Sequence, residues 1–101
     1  VSIESDAIAP RIRAGYAAYG QTWCPHTAVA AEAYAQLSAE ERARARWILA
    51  ATAHPAKFRE IVEPAIGARV PLPPSLAALM DRPTASTEIN ADLGALREAL
   101  E

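Results

Sequence analysis

The stretch RWILAATAHPAKF, from Arg46 to Phe58, constrains the fold more than any other part of the chain. It opens with a short apolar run that has the length and the β-branched and aromatic character of one buried strand, which we predict over about residues 46–52. Pro55 then suits the first turn of a helix, and the apolar residues that follow recur at helical spacing until Gly67. In α/β proteins, a turn between a strand and a helix lies at the carboxyl edge of the sheet, where ligands collect. The stretch therefore predicts one wall of a ligand site.

The rest of the chain carries helical signals, so we predict a helix-rich α/β fold with this one strand and four to five helices. Ser38 and Glu41 have the spacing of a capping box and predict a short charged turn or helix before the strand. The tyrosines of the first helix and the leucines of the last lie at helical spacing and are expected in the core. The other predicted helices are an N-terminal one ending at Gly20, an alanine-rich one over 28–37 capped by Thr27, a short one starting at Ser75, and a final one capped by Asn90.

A single strand leaves its own backbone hydrogen-bonding groups without partners. It must pair either with another chain or with a sheet that lies in sequence absent here. We therefore expect the chain to be a piece of a larger protein. In isolation it should self-associate through the apolar Trp47-Ile48-Leu49 edge or fold weakly.

Composition limits the classes of function. With 101 residues and a formal net charge of −2, the chain is one modest unit that gives no reason to expect nucleic acid or an anionic membrane as partner. No apolar run is long enough to span a bilayer. The single cysteine, Cys24, excludes an internal disulfide and fits a reducing compartment, so we expect a cytoplasmic protein. Cys24 and His26 are only two residues apart and no other cysteine supports them, so we predict no metal site.

Several motifs then carry a resemblance to a known family. The string from Ala51 to Phe58, ATAHPAKF, closely resembles a signature near the C-terminus of threonine synthase. Three further motifs resemble that family and fall in its order: PHTAV from Pro25, VPLPPSL from Val70 and NADL from Asn90. The chain departs from the family's motifs at two positions. Many relatives carry an acidic residue where this chain has Cys24, and they carry proline where it has Asn90.

The resemblance implies a C-terminal fragment of a fold-type II enzyme that depends on pyridoxal 5′-phosphate (PLP). Threonine synthases convert O-phosphohomoserine and water into threonine and phosphate. The family attaches PLP to a lysine in its N-terminal half and holds the cofactor's phosphate in a glycine-rich loop, and neither stretch is found among residues 1–101. We therefore expect one C-terminal segment, with the rest of the threonine synthase polypeptide as its partner. It should supply an active-site wall, with no catalytic residue of its own and no activity alone.

Four residues are candidates for that wall. By the resemblance, Thr52 would hydrogen-bond the pyridine nitrogen of PLP; otherwise it is a strand-end threonine bonded to local backbone. His54 would line the pocket for the substrate's phosphate or else hold the turn. Lys57, in the first turn of a helix, would contact an anion or lie solvated on the surface. His26 is a further candidate for substrate binding, with Thr27 beside it as the helix cap.

Two alternatives remain open. The chain could be a stand-alone interaction or regulatory module that kept the fold of the segment and lost its chemistry. It could also belong to a threonine-synthase-like lyase that acts on a related phospho-amino acid. The length of the native product separates the first alternative from the enzyme.

Overall fold

A computed structural model of the chain describes residues 2–101, which form six α-helices and two short 3-10 helices and contain no β-strand. A 3-10 helix at Ser5–Ala7 leads into the first α-helix, and a second 3-10 helix at Pro55–Phe58 leads into the fourth. The α-helices are α1 (Ile8–Tyr19), α2 (Pro25–Ala35), α3 (Ala39–Ala43), α4 (Arg59–Ile66), α5 (Pro74–Met80) and α6 (Leu93–Leu100). The helix-rich part of the prediction is confirmed, but the described residues form six α-helices and not the expected four to five.

Helix ends follow the signals in the sequence. Gly20 and Gly67 end α1 and α4 with φ angles of 65° and 68°, in the left-handed region that glycine adopts without a steric penalty. Before α3, Ser38 Oγ accepts the amide of Glu41 at 3.1 Å while the Glu41 carboxylate accepts the amide of Ser38 at 2.8 Å. This reciprocal pair is the predicted capping box, and it makes a five-residue helix possible in an exposed region.

The core is small and lies where α1, α2 and α4 meet. Ile12, Ala28 and Val62 are fully buried at its centre. Three of the six buried residues in this core cluster are alanines, so the core has few large side chains. Two hydrogen-bonded contacts tie its helices together: Arg11 of α1 pairs with Glu32 of α2, and Arg13 Nε donates to the carbonyl of Ala65 near the end of α4.

The predicted strand over residues 46–52 is wrong. All of these residues are exposed, and none is in a strand. The physical reason is the one that made a lone strand suspect: residues 2–101 offer no neighbouring strand, so local apolar and β-branched character cannot form a sheet. Trp47 instead rests one edge of its ring against Tyr34 of α2, with the ring centroids 6.0 Å apart.

The N-caps of α2 and α6 also differ from the prediction. Helix α2 begins at Pro25, with Cys24 and not Thr27 at the N-cap, because proline is well suited to the first helical position. Asp92 rather than Asn90 caps α6, its carboxylate accepting the amide of Ala95 at 2.9 Å. The apolar stripes expected in the core are largely exposed: Tyr16, Tyr19, Leu93, Leu96 and Leu100. Helical spacing identified these faces, but within residues 2–101 they are covered only in part, for example where Tyr19 contacts Trp23.

Between residues 2 and 101, none of the helices has both the length and the apolar character that crossing a membrane requires.

Candidate functional site

His54 starts the turn on which the candidate site is built. Its Nδ1 accepts the amide of Ala56 at 3.2 Å, and its carbonyl accepts the amide of Lys57 at 3.1 Å. Pro55 follows in the first position of the 3-10 helix, where its missing amide is not needed. Because Nδ1 is an acceptor here, a neutral His54 ring carries its proton on Nε2. The imidazole thus caps the turn with one nitrogen and keeps the other as a donor.

His26 joins this turn from the start of α2. Its ring meets the ring of Phe58 edge to face, with centroids 5.2 Å apart and planes at 70°. Phe58 is half-buried and packs on the core formed by Ile12 and Val62, so it links the exposed histidine to the rigid part of the fold. The first turn of α2 and the last turn of the 3-10 helix therefore face each other.

Cys24 forms a second link between α2 and the signature stretch, residues 51–58. Its thiol is buried, and Sγ lies 3.3 Å from Oγ1 of Thr27, which is buried as well. Burial raises the pKa of the Cys24 thiol, but hydrogen bonds from the Thr27 side chain and from the backbone of Thr27, His26 and Ala53 outweigh it, so the pKa is lowered overall. Ala53 lies between Thr52 and His54 in the chain. The sulfur therefore sits at the point where the start of α2 and the signature stretch come together.

Thr52 and Lys57 are both exposed. Within residues 2–101 the Thr52 hydroxyl makes no hydrogen bond, so the local backbone bond considered for a structural threonine is not formed. Lys57 lies in the 3-10 helix and forms no salt bridge in the same part of the chain. The structure thus brings His54 and Lys57 into one turn, joins His26 to that turn through Phe58, and leaves Thr52 beside it with its hydroxyl unused.

One well-formed cavity lies away from the His54 turn. A groove of about 500 Å³ opens between α1, α2 and the Trp47–Leu49 segment, with Trp23 and Tyr34 among its aromatic walls. None of the four candidate residues lines it. We place the candidate site at the His54 turn because the four candidate residues lie on or beside that turn and none of them lines the groove.

The groups at the turn are suited to binding an anion or a polar ring. Two imidazoles, one ammonium and one hydroxyl can donate hydrogen bonds. In the part of the chain that the structure describes, no three histidine, cysteine, aspartate or glutamate side chains come together in a way that could hold a metal ion. The groups at the turn therefore offer hydrogen-bond donors and a positive charge for recognition.

The fold and the turn define the class of protein. A family model described as "Threonine synthase, C-terminal" matches residues 27–100, and the chain belongs to that family. The match includes Thr52, His54 and Lys57 and begins one residue after His26.

Individual relatives agree with this assignment. Threonine synthase from Escherichia coli strain K12 is 42% identical over 81 residues, which are 80% of this chain and 18% of the relative. The Haemophilus influenzae enzyme is 40% identical over 76 residues, covering 75% of this chain and 17% of the relative. The crystal structure of the Escherichia coli enzyme superimposes with a TM-score of 0.81 at 34% identity, covering 99% of this chain and 22% of the solved one. The chain thus spans about a fifth of the length of these relatives.

The sequence did not reveal the structural role of Cys24. The sequence predicts only that Cys24 takes part in no metal site, yet it is the N-cap of α2 and its buried thiol lies 3.3 Å from Oγ1 of Thr27. The signal was present: a residue directly before a proline that begins a helix occupies the N-cap, where an acceptor is favoured.

Proposed function

We propose that residues 1–101 form the C-terminal segment of a threonine synthase, whose complete polypeptide converts O-phosphohomoserine and water into threonine and phosphate with PLP. The lysine that attaches PLP and the loop that holds its phosphate belong, in this proposal, to the remainder of the polypeptide. Membership of the family and the match to about a fifth of each relative support it. In this proposal the chain forms one wall of the active site and does not catalyse the reaction by itself.

The observation that carries the proposal is the free hydroxyl of Thr52 beside the His54 turn. An exposed threonine without a local hydrogen-bond partner is able to hydrogen-bond a group that arrives from outside, and the pyridine nitrogen of PLP fits it in chemistry and charge. When bound, PLP supplies an electron sink for breaking bonds at the carbon next to the amino group. A neutral hydroxyl does not hold a proton on the ring nitrogen as a carboxylate would. Thr52 therefore orients the cofactor and moderates that sink.

The turn itself supplies the groups for the substrate. His54 has its Nδ1 occupied by the amide of Ala56, so its Nε2–H can donate to an anionic oxygen. The ammonium of Lys57 adds a positive charge from the same turn, and His26 adds a second imidazole from α2. We assign these three residues to the phosphate or carboxylate of O-phosphohomoserine, which charged and hydrogen-bonding groups of this kind recognise.

A chimera tests the proposed function. In Escherichia coli threonine synthase, this chain would replace the C-terminal region that it matches, and threonine formation per bound PLP would be measured together with the melting temperature. We expect threonine formation, whereas the isolated chain should bind no PLP productively. An inactive chimera that is folded and loaded with PLP would contradict the proposal and favour a non-catalytic module. Turnover of another phospho-amino acid alone would favour the related lyase.

Substitutions at Thr52 in the chimera test its assigned role. Thr52→Val keeps the shape and removes the hydroxyl, so turnover should fall about 5- to 150-fold, corresponding to the loss of about 1–3 kcal/mol of hydrogen bonding in the transition state. Thr52→Ser should keep most activity. PLP affinity should change less than turnover, because the cofactor is also held elsewhere. If Thr52→Val lowers the melting temperature and leaves turnover unchanged, Thr52 is structural and does not belong to the site.

A further inference from the structure

Phe58 occupies the joint between the second 3-10 helix and α4. It is the last residue of the 3-10 helix and the N-cap of α4, and its φ of −130° and ψ of 39° are not helical. Its half-buried side chain packs against the core. The same ring meets the imidazole of His26 edge to face, with centroids 5.2 Å apart. Phe58 therefore connects the core to a candidate residue of the site.

The backbone of His26 is fixed without Phe58. Thr27 and Ala28, which follow it in α2, are buried, and the amide of Ala28 donates to the carbonyl of Cys24 at 3.0 Å. The imidazole itself is exposed, and within residues 2–101 it takes part in no hydrogen bond. The contact with Phe58 therefore restricts the rotation of this ring about its side-chain bonds.

The two imidazoles of the candidate site are thus ordered by different means. The ring of His54 is held by the amide of Ala56, which donates to Nδ1 at 3.2 Å, whereas the ring of His26 is held by an aromatic contact. A side chain that is free in solvent loses rotational freedom when it binds a ligand, and this loss weakens the binding. A ring that is already held avoids most of that cost.

We propose that Phe58 is a positioning residue of the anion-binding groups, whose ring holds the imidazole of His26 toward the His54 turn. Because the anion is a group of O-phosphohomoserine, this role rests on the proposed function. Without the Phe58 ring, KM for O-phosphohomoserine should rise about 2- to 12-fold, which corresponds to the cost of ordering one side chain on binding. The kcat should change less, since His26 is assigned to binding.

The kinetic test uses the chimera with Escherichia coli threonine synthase. Phe58→Leu keeps an apolar side chain against the core and removes the aromatic ring, so KM should rise. Phe58→Tyr keeps a ring and should restore the KM of the parent chimera. Tyr19→Leu is the matched control, because it removes a different aromatic contact, with Trp23 at 5.9 Å, and should leave KM unchanged. An unchanged KM in a folded, active Phe58→Leu chimera overturns the inference.

A double-mutant cycle with His26→Ala shows whether Phe58 acts through His26. Once the imidazole is gone, Phe58→Leu should have no further effect on KM, because the ring that it positions is absent. Melting temperatures would be recorded for all four proteins. If Phe58→Leu raises KM by the same factor with and without His26, Phe58 acts through the stability of the fold, and the inference is overturned.

NMR of the 101-residue chain tests the contact without measuring activity. The chain has only two histidines, so the ring protons of each can be followed separately. Phe58→Leu should move the chemical shifts of the His26 ring toward those of an unstructured peptide. The His54 shifts should stay in place, because the amide of Ala56 holds that ring. Unchanged His26 shifts in the variant, or unstructured values in the parent chain, overturn the inference even when the chimera is active.

Failure of the proposed function gives a different result. A folded, PLP-loaded but inactive chimera contradicts that function, and calorimetry would then measure the Kd of O-phosphohomoserine in place of KM. A Kd that Phe58→Leu raises only when His26 is present supports the positioning role. A Kd that Phe58→Leu leaves unchanged overturns it.

Discussion

Gly15 lies against the indole of Trp23, and this contact allows a prediction about the sign of a stability change. Gly15 is buried in α1, and a Cβ added to it would lie 2.4 Å from Cζ3 and 2.5 Å from Cε3 of Trp23. Carbon atoms do not approach so closely, so the indole must move. Trp23 also contacts Tyr19, with ring centroids 5.9 Å apart, and a moved indole disturbs that contact.

Two opposing effects set the size of the change for Gly15→Ala. Alanine in the interior of a helix is favoured over glycine by about 0.5–1 kcal/mol. Overpacking against a ring typically costs about 1–3 kcal/mol. The net expectation is a loss of about 0–2.5 kcal/mol in the free energy of unfolding. When Trp23 is first shortened to alanine, the clash disappears, and the same substitution should stabilise the chain by about 0.5–1 kcal/mol.

A double-mutant cycle measures this coupling. Urea unfolding would be followed by circular dichroism for the parent chain, Gly15→Ala, Trp23→Ala and the double variant. The expected coupling is about 1–3 kcal/mol, in the range of residues in direct contact. Ala17→Gly at an exposed position of α1 is the control, because it measures the difference between alanine and glycine without the indole. If Gly15→Ala stabilises the chain equally with and without Trp23, the close packing of Gly15 against the indole is refuted.

Two further predictions concern local hydrogen bonds. Ser38→Ala removes half of the capping box with Glu41 and should lower the free energy of unfolding in urea by about 1 kcal/mol. Ser38→Asp should restore most of this loss. Equal stability of the parent chain and both variants would contradict a stabilising cap. The pKa of Glu63 is held below its ordinary 4.5 by hydrogen bonds from the backbone amide of Val70 and from the Arg59 side chain. The ionised carboxylate therefore stabilises the fold above pH 4.5. This contribution is lost as the pH falls through the lowered pKa. The stability difference between the parent chain and Glu63→Gln should therefore shrink on acidification from pH 7 to pH 3, and a difference that grows would contradict the assignment.

Local signals predicted the helices well because their ends are determined by neighbouring residues. Gly20 and Gly67 end α1 and α4 in the conformation that glycine favours, and Ser38 with Glu41 forms the box that its spacing predicted. Burial was less predictable. The leucines of α6 have helical spacing, yet Leu93 is 84% exposed, because a periodic face shows where a helix can pack and not whether a partner is present.

The strand over residues 46–52 failed for a non-local reason. Apolar and β-branched residues fit a pleated sheet, but β-structure requires hydrogen bonds from a neighbour far away in sequence. A lone strand has no partner for its backbone hydrogen bonds, and Ile48 is accordingly exposed. At the candidate site, the sequence located the turn and the residues on it. It could not predict that Phe58 would join His26 to that turn, since the contact bridges two helices.

Because all four candidate residues are exposed, the proposed active-site wall needs another surface to exclude water from it. Thr52, His54, Lys57 and His26 all face solvent within the described part of the chain. In water, hydrogen bonds and charges of this kind discriminate weakly, because the solvent competes for the same groups and screens the charges. Excluding water strengthens every electrostatic contact in a site. The core formed by α1, α2 and α4 holds the turn in place from behind but contributes nothing in front of it. Under the proposed function, the binding strength of these residues has to come from a surface that closes over the His54 turn and excludes water.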